Sequence, residues 1–372
     1  MTAAQRRDHL FLHEGPHPSH GAWARSVGCT FVPTPLRLRS PGQVGSLGSG
    51  SPVGALKAAT TRALGVPLPM LLQGLGAASL LGAEATEGVR LLIAEGRLEI
   101  VPATVAVGLA DPPRPSLVLL SADPILHEVG TTFPPRWRVL YDRLLERVDL
   151  VVCNSALSAS WLPPVLSDRA LVLYPPLPRA PPPLPLLPAR PGHRCVALGE
   201  LNVATKGIDR TLAAFALVRA NFHDATLDLI GGGSVPPGSP MEGVTAHGIV
   251  PSPEPLLAHA SVLLHLARKE TYGLAPLEAM LQGVVPVVSP TCGIAPLVAQ
   301  VDARLVVDDV SAAAATVRWL WEDPQAWRHV ARSAITLARQ RVEESSPAAF
   351  AHALHPFLNR TRPWPSGRWH AR

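Results

Sequence analysis

The sequence predicts an α/β protein made of two doubly wound, Rossmann-like domains facing each other across a cleft. Three observations carry that prediction. Short apolar runs alternate with helical patterns through the first half of the chain, and the alternation restarts in the second half. Between the halves, Tyr174 to Pro191 contains nine prolines, which leaves little room for helix or ladder. Polar and glycine-rich turns follow several of the apolar runs, at the carboxyl ends where open parallel sheets bind ligands. The chain has 372 residues, 47% of them hydrophobic and 16% charged, enough for two cores of ordinary size.

Taken in order, a first strand is expected over His9 to His13. The loop after it, Glu14 to Gly21, carries Gly15 and His20. A contact to a donor or acceptor phosphate and a purely local Pro/His turn both fit that loop. A helix from Gly21 to Val27 and a strand from Cys29 to Val32 complete a β-α-β opening. The stretch from Pro33 to Gly54 is rich in Gly, Ser and Pro and reads as a loop, and Ala55 to Leu64 as a short amphipathic helix. Leu68 to Leu72, Leu98 to Val107 and Leu117 to Leu120 read as strands, with helical material between the first two. The third runs into a polar turn holding Asp123 and His127, placed either as site residues or as a helix cap and surface position. A helix over Arg136 to Arg147 and a strand over Leu150 to Ser155 follow, with Ser155 positioned to cap a helix from Ala156.

The expected boundaries are a first domain over 1–175, a polyproline-type linker over 176–192, a second domain over 193–345, and a return helix with a basic tail over 346–372. In the second domain, strands are expected at Cys195 to Leu198, Thr226 to Ile230, His247 to Val250, Val262 to Leu266, Val285 to Ser289 and Leu305 to Val307. Helices alternate with them from Ile208 to Arg341.

Composition narrows the setting. The four cysteines have no C-x-x-C pair or zinc spacing, so free thiols and a reducing cytoplasm are expected. No unbroken apolar run approaches the roughly 18 residues of a spanning helix, and the start shows no secretory pattern. The net charge of +5 permits attraction to anionic lipid or a nucleotide. Peripheral membrane contact at the cytoplasmic face, through Arg37, Arg39, Lys57, Arg62 and the tail with Trp364 and Trp369, is a second expectation beside a simply soluble tail. No nucleic-acid partner and no metal are expected. Of 33 basic residues only Lys57, Lys206 and Lys269 are lysines, and a lysine kept in so arginine-rich a chain invites a local reason, such as a point charge on phosphate.

The densest chemistry lies in Arg268 to Met280. An apolar strand precedes it, Glu270 and Glu278 flank Gly273 and Pro276, and a helix follows. Pro276 suits the first helical position, which would put Glu278 in the first turn. The amides of Gly273, Leu274 and Ala275 would then form an anion site. Lys206-Gly207 follows another strand, as does Gly231-Gly232-Gly233, where glycine permits close backbone approach to a ligand. A lysine, glycine turns, a helix N-terminus and two carboxylates suit a nucleoside diphosphate with a hydroxyl-bearing group attached.

Lys206-Gly207-Ile208-Asp209, the glycine turn, Glu270 to Met280 and Gly283 to Ser289 together resemble the C-terminal domain of family 4 glycosyltransferases, retaining enzymes of GT-B fold. The resemblance spans about Cys195 to Leu358, and it implies that 193–345 is the nucleotide-sugar-binding domain and that 1–175, with Gly15 and His20, is the acceptor side. It implies metal-independent transfer of a sugar from a UDP- or GDP-linked donor to a glycan, lipid or protein hydroxyl. Lys206 would neutralise the diphosphate, Glu270 would contact the transferred sugar, Glu278 the ribose, and the amides of Gly273 and Leu274 the distal phosphate. Two positions depart from the family pattern. Glu200 stands after Gly199 where an arginine is usual, leaving Arg210 or Arg268 to substitute. Ser121-Ala122-Asp123 stands where a histidine is usual. A non-catalytic nucleotide-binding scaffold is therefore the alternative reading.

Overall fold

A computed structural model describes residues 8–13, 17–33, 88–95, 99–109, 114–121, 126, 131, 135–202, 204–239 and 241–358. They fall into two compact units, one drawn from 1–178 and 346–372, the other from 179–345. Each unit is organised on a parallel sheet.

In the first unit the strands are β1 (His9–His13), β2 (Thr30–Pro33), β3 (Leu91–Glu95), β4 (Ser116–Ser121), β5 (Leu150–Cys153) and β6 (Ala170–Val172), in spatial order 2-1-3-4-5-6. Successive residues point to opposite faces, so each strand feeds two cores. Leu10, Leu92, Leu117 and Val151 pack on one side with α2 (Ile100–Leu109) and α3 (Pro135–Leu145). Phe11, Ile93, Val118 and Val152 pack on the other with Trp23 of α1 (Pro18–Ser26) and Phe350 and Leu354 of the return helix (Pro347–Leu358). Burial on both faces explains why the central strands read as continuous apolar runs.

Three expectations are corrected here. The segment Leu98 to Val107 is not a strand: Ile100–Leu109 is a helix, buried along most of its length, with Thr104 Oγ1 donating to the Ile100 carbonyl at 2.8 Å. The strand is instead β3, in the stretch read as helical. An apolar run buried all round carries no periodicity to separate the two. The opening helix starts at Pro18, with His17 Nδ1 accepting from the Ser19 amide at 3.3 Å, so His20 lies on a helix and not in the preceding loop. Ser155 does cap its helix, α4 (Ala156–Ser160), in a reciprocal pairing with Ser158. A short helix α5 (Pro164–Ser167) follows. Gly15, Asp123, His127, the 34–87 segment with its expected strand and basic residues, and the tail beyond Leu358 lie outside the described residues.

In the second unit β7 (Arg194–Leu198), β8 (Thr226–Ile230), β9 (Val244–Gly248), β10 (Val262–His265) and β11 (Val285–Val288) are ordered 11-10-7-8-9. The edge strand β9 lies upstream of the expected His247 to Val250. Leu305 to Val307 is no sheet strand. Asp302 caps a 3-10 turn over Ala303–Leu305, and only Val306 bridges Val288. The described cysteines are all free thiols, and burial pushes Cys29 and Cys153 up to about 12.

The proline-rich segment is strapped onto this unit. Arg339 donates to the Pro182 carbonyl at 2.8 Å, Arg179 pairs at 3.0 Å with Glu254, the first residue of α7 (Glu254–Leu257), and Leu187 occupies the space over Gly283. In each sheet the strand order reverses once, between β1 and β3 in the first and between β7 and β10 in the second. Loops leaving the two strands at such a point diverge, and a crevice opens between them.

Candidate nucleotide site

In the second unit the two loops that diverge at the strand reversal carry the predicted residues. After β7 the chain reaches a 3-10 turn, Ala204–Lys206, and then Gly207, which opens α6 (Ile208–Arg219) at φ +66°. A Cβ at Gly207 would stand 2.2 Å from the Leu266 carbonyl oxygen. Glycine thus lets the Lys206 turn close onto the end of β10. The amides of Arg268 and Lys269 both donate to the Thr205 carbonyl, at 2.8 and 3.3 Å, locking the two loops together.

That lock brings Lys206 Nζ to 2.5 Å from Glu270 Oε2. Glu270 is held on its other side by Cys292, through a backbone bridge, and by His265 Nε2 at 3.7 Å. Burial would favour its neutral form, but the His265 ring and the Lys206 ammonium override burial and hold it down at about 2. His265, itself buried, is held above the usual histidine range against burial by Cys292 and Glu270. Burial would likewise lower Lys206, yet Glu270, with Cys292 and Glu200 beyond it, keeps it raised and charged. Glu270 is therefore a fixed carboxylate at neutral pH. It can accept hydrogen bonds from hydroxyls and cannot donate a proton.

Next to this pair, α8 (Leu274–Leu281) starts at Gly273, which has φ +108° and bears no capping side chain. The Leu274 and Ala275 amides begin the helix without intrahelical acceptors, and Pro276 brings no amide. Pro276 is the third helical residue, not the first. The tight turn from Glu270 to Gly273, pinned by Gly293 donating to the Glu270 carbonyl and Ile294 to that of Tyr272, starts the helix two residues early. Glu278 consequently lies beyond the first turn. It has no hydrogen-bond partner among the described residues, and burial, with Glu254 nearby and Arg179 opposing, pushes it up to about 7.

The glycine triplet has a role that its sequence left open. A Cβ at Gly231, which has φ +148°, would stand 1.8 Å from the Gly199 carbonyl oxygen, and the Leu201 amide donates to the Gly232 carbonyl at 2.8 Å. These glycines press β8 against the loop after β7. Arg268 makes a bidentate pair with Asp209, at 2.6 and 2.7 Å, and also donates to the Ala204 carbonyl. Arg210 donates to the Asp308 carbonyl at 2.9 Å. Both arginines that might stand in at Glu200 already have protein partners.

The structure also shows residues that sequence reading missed. His265, the last residue of β10, brings its buried ring to 3.7 Å from Glu270, and only its place at a strand end signals it. In the first unit, His20 Nδ1 lies 2.5 Å from Glu95 Oε1 and its Nε2 lies 3.3 Å from Asn154 Oδ1. Glu95 carries no signal in the sequence, because its strand lies in a stretch that reads as helical. Among the described residues no group of three or more His, Cys, Asp or Glu could hold a metal ion, and no helix is long and apolar enough to cross a membrane.

Comparison with known proteins bears on the fold and on the second unit. Residues 192–323 match the family model described as glycosyl transferases group 1. HepE of Anabaena, solved in complex with UDP, superposes with a TM-score of 0.66 at 16% identity, covering 94% of this chain and 98% of its own. OtsA in its apo form gives 0.65 at 12% identity, covering 95% of this chain and 100% of its own. WaaG, a glycosyltransferase involved in lipopolysaccharide biosynthesis, gives 0.58 at 14%, covering 93% and 99%. No curated protein matches the chain by sequence. The chain thus has the GT-B fold of these proteins, and its residues 192–323 are similar to the glycosyl transferases group 1 family.

Proposed function

We propose that the chain transfers a sugar from a nucleoside diphosphate sugar to an acceptor hydroxyl, with retention at the anomeric carbon and without a metal. The observation that carries this reading is the Lys206–Glu270 pair beside the uncapped start of α8. A lysine and a helix N-terminus at one point form a receptor for a diphosphate, where charge accumulates as the glycosidic bond breaks. The leaving group would be stabilised by Lys206 and the amides of Gly273 and Leu274, with Ala275 in reach. It would not be protonated by Glu270, which stays ionised. Glu270 would accept hydrogen bonds from the transferred sugar, and Glu278 from the ribose. The UDP bound to HepE supports uridine as the first base to test.

One observation favours a second reading. Glu200 is exposed and adds negative charge toward Lys206, while Arg210 and Arg268 are engaged elsewhere. A diphosphate grip with a single cation fits a protein that binds a nucleotide and scaffolds an assembly. Titration of UDP and GDP by calorimetry, followed by donor hydrolysis without added metal, separates the two. Turnover that disappears in Glu270→Ala supports the enzyme. Binding without turnover on any donor supports the scaffold.

A further inference from the structure

Lys206 cannot serve two anions equally. Its ammonium lies 2.5 Å from Glu270 Oε2, and as part of a donor site the same group must grip a diphosphate. A lysine shared between a carboxylate and a diphosphate holds like charges close together in a partly buried site, where their repulsion is weakly screened. Once Lys206 moves to the phosphates, Glu270 loses its closest cation. The Glu270 side chain is only 13% exposed, so little water reaches it, and a buried carboxylate stripped of its counter-charge is strongly destabilising.

A second cation faces the same oxygen. His265 Nε2 stands 3.7 Å from Glu270 Oε2, beyond hydrogen-bond reach, and its side chain is only 6% exposed. That nitrogen is buried and has no hydrogen-bond partner among the described residues. An unpaired buried nitrogen costs stability unless another state of the site uses it. His265 titrates above the usual histidine range, so at neutral pH it is an imidazolium and Nε2 carries a hydrogen. The residue is also anchored. It ends β10, and its carbonyl accepts from the Ser289 amide at 3.3 Å and from Cys292 Sγ at 3.7 Å. From the same loop, the Cys292 backbone bridges to Glu270, whose amide donates to the Thr291 carbonyl at 3.1 Å. The imidazole and the Glu270 backbone are thus tied to one loop. Lys206, 32% exposed at the end of a 3-10 turn, is the member with room to swing.

We propose that donor binding exchanges the partner of Glu270: Lys206 leaves the carboxylate for the diphosphate, and His265 closes on Oε2 as the replacement cation. His265 is a positioning residue. It does not touch the donor, but it releases Lys206 to the phosphates and keeps Glu270 in place for the transferred sugar. No covalent bond forms or breaks in this exchange, and no proton leaves the imidazolium. The inference rests on the donor-site reading, which supplies the diphosphate.

The test is calorimetry on the full chain with UDP and GDP, which lack the sugar that Glu270 would touch. Glu270→Gln removes the competitor for Lys206, so it should bind the nucleotide about three- to tenfold tighter than wild type. His265→Gln leaves Glu270 dependent on Lys206, and affinity should fall at least about tenfold. In the double variant no carboxylate needs a cation, so its affinity should match that of Glu270→Gln within about twofold. A residue that only supports the fold would weaken binding equally in both backgrounds. An equal loss in both backgrounds therefore overturns the proposal. Binding by Glu270→Gln no tighter than by wild type overturns it as well, and that comparison does not depend on His265→Gln folding. Failure of wild type to bind UDP or GDP removes the donor-site reading and this inference together. Binding by wild type with independent, additive effects of the two substitutions removes the inference alone.

Discussion

Glu278 offers a sharp quantitative test, because the group that would hold the ribose destabilises the empty protein. Its carboxyl is raised from 4.5 to about 7 by burial and by Glu254, against Arg179. The sign follows from linkage. A group whose folded value is raised contributes stability that is fully present below its unfolded value and is lost as pH rises through the folded one. Wild type should therefore lose stability between pH 4.5 and about 7 as Glu278 ionises. At about 1.36 kcal/mol per pH unit, an interval of about 2.5 units gives an upper bound of about 3 kcal/mol. Glu278→Gln keeps the shape and removes the titration. Its advantage over wild type should be near zero at pH 4.5 and grow to about 2–3 kcal/mol by pH 8, a rise in Tm of roughly 4–12 °C. Ribose hydroxyls donate, and so favour the ionised form. Wild-type affinity for UDP should rise with pH up to about 7 and then level off, relative to Glu278→Gln, whose binding is weaker and lacks that component. Paired thermal melts and UDP calorimetry across this range supply both curves. A flat stability difference, or a variant that binds UDP as well as wild type at pH 8, would refute the reasoning.

Three other perturbations follow from the same geometry. Lys206→Ala removes the sole side-chain cation assigned to the diphosphate and leaves Glu270, among the described residues, with His265 alone as a charged partner. UDP affinity should fall at least about tenfold and stability by about 1–3 kcal/mol, read by calorimetry and urea melts. Gly207→Ala forces a Cβ against the Leu266 carbonyl in a left-handed conformation, costing at least about 1–3 kcal/mol, and should weaken UDP binding by moving Lys206 without changing any charge. Glu200→Arg removes an acid and adds a base next to Lys206. It should raise UDP affinity about five- to tenfold at low salt, with the gain shrinking as salt rises.

What was legible in the sequence depended on how much a segment faced solvent or a special backbone conformation. The second unit's glycines and carboxylates stood out because Gly207 and Gly273 occupy positions with φ of +66° and +108°, which only glycine adopts easily. Helices with one wet face, such as α3 and those near the end of the second unit, announced their period. Leu91–Glu95 and Ile100–Leu109 did not. Both are buried, and a strand in the middle of a parallel sheet and a helix packed against it present the same unbroken apolar string. That exchange hid Glu95 and with it the partner of His20. Pro276 misled differently. Proline tolerates the third helical position as well as the first, since neither amide needs an intrahelical acceptor. The start of α8 was set by the Glu270–Gly273 turn, which sequence spacing alone does not reveal.

The central claim is that Lys206, Glu270 and the start of α8 receive a nucleoside diphosphate and that the bound sugar is transferred. Single-turnover hydrolysis of UDP-linked and GDP-linked sugars by wild type and Glu270→Ala, in buffer containing a chelator, addresses it most directly. The account predicts release of UDP or GDP by wild type with the chelator present and loss of at least about a hundredfold in the variant. Equal release by both proteins, or none by wild type from any donor that it binds, would contradict it.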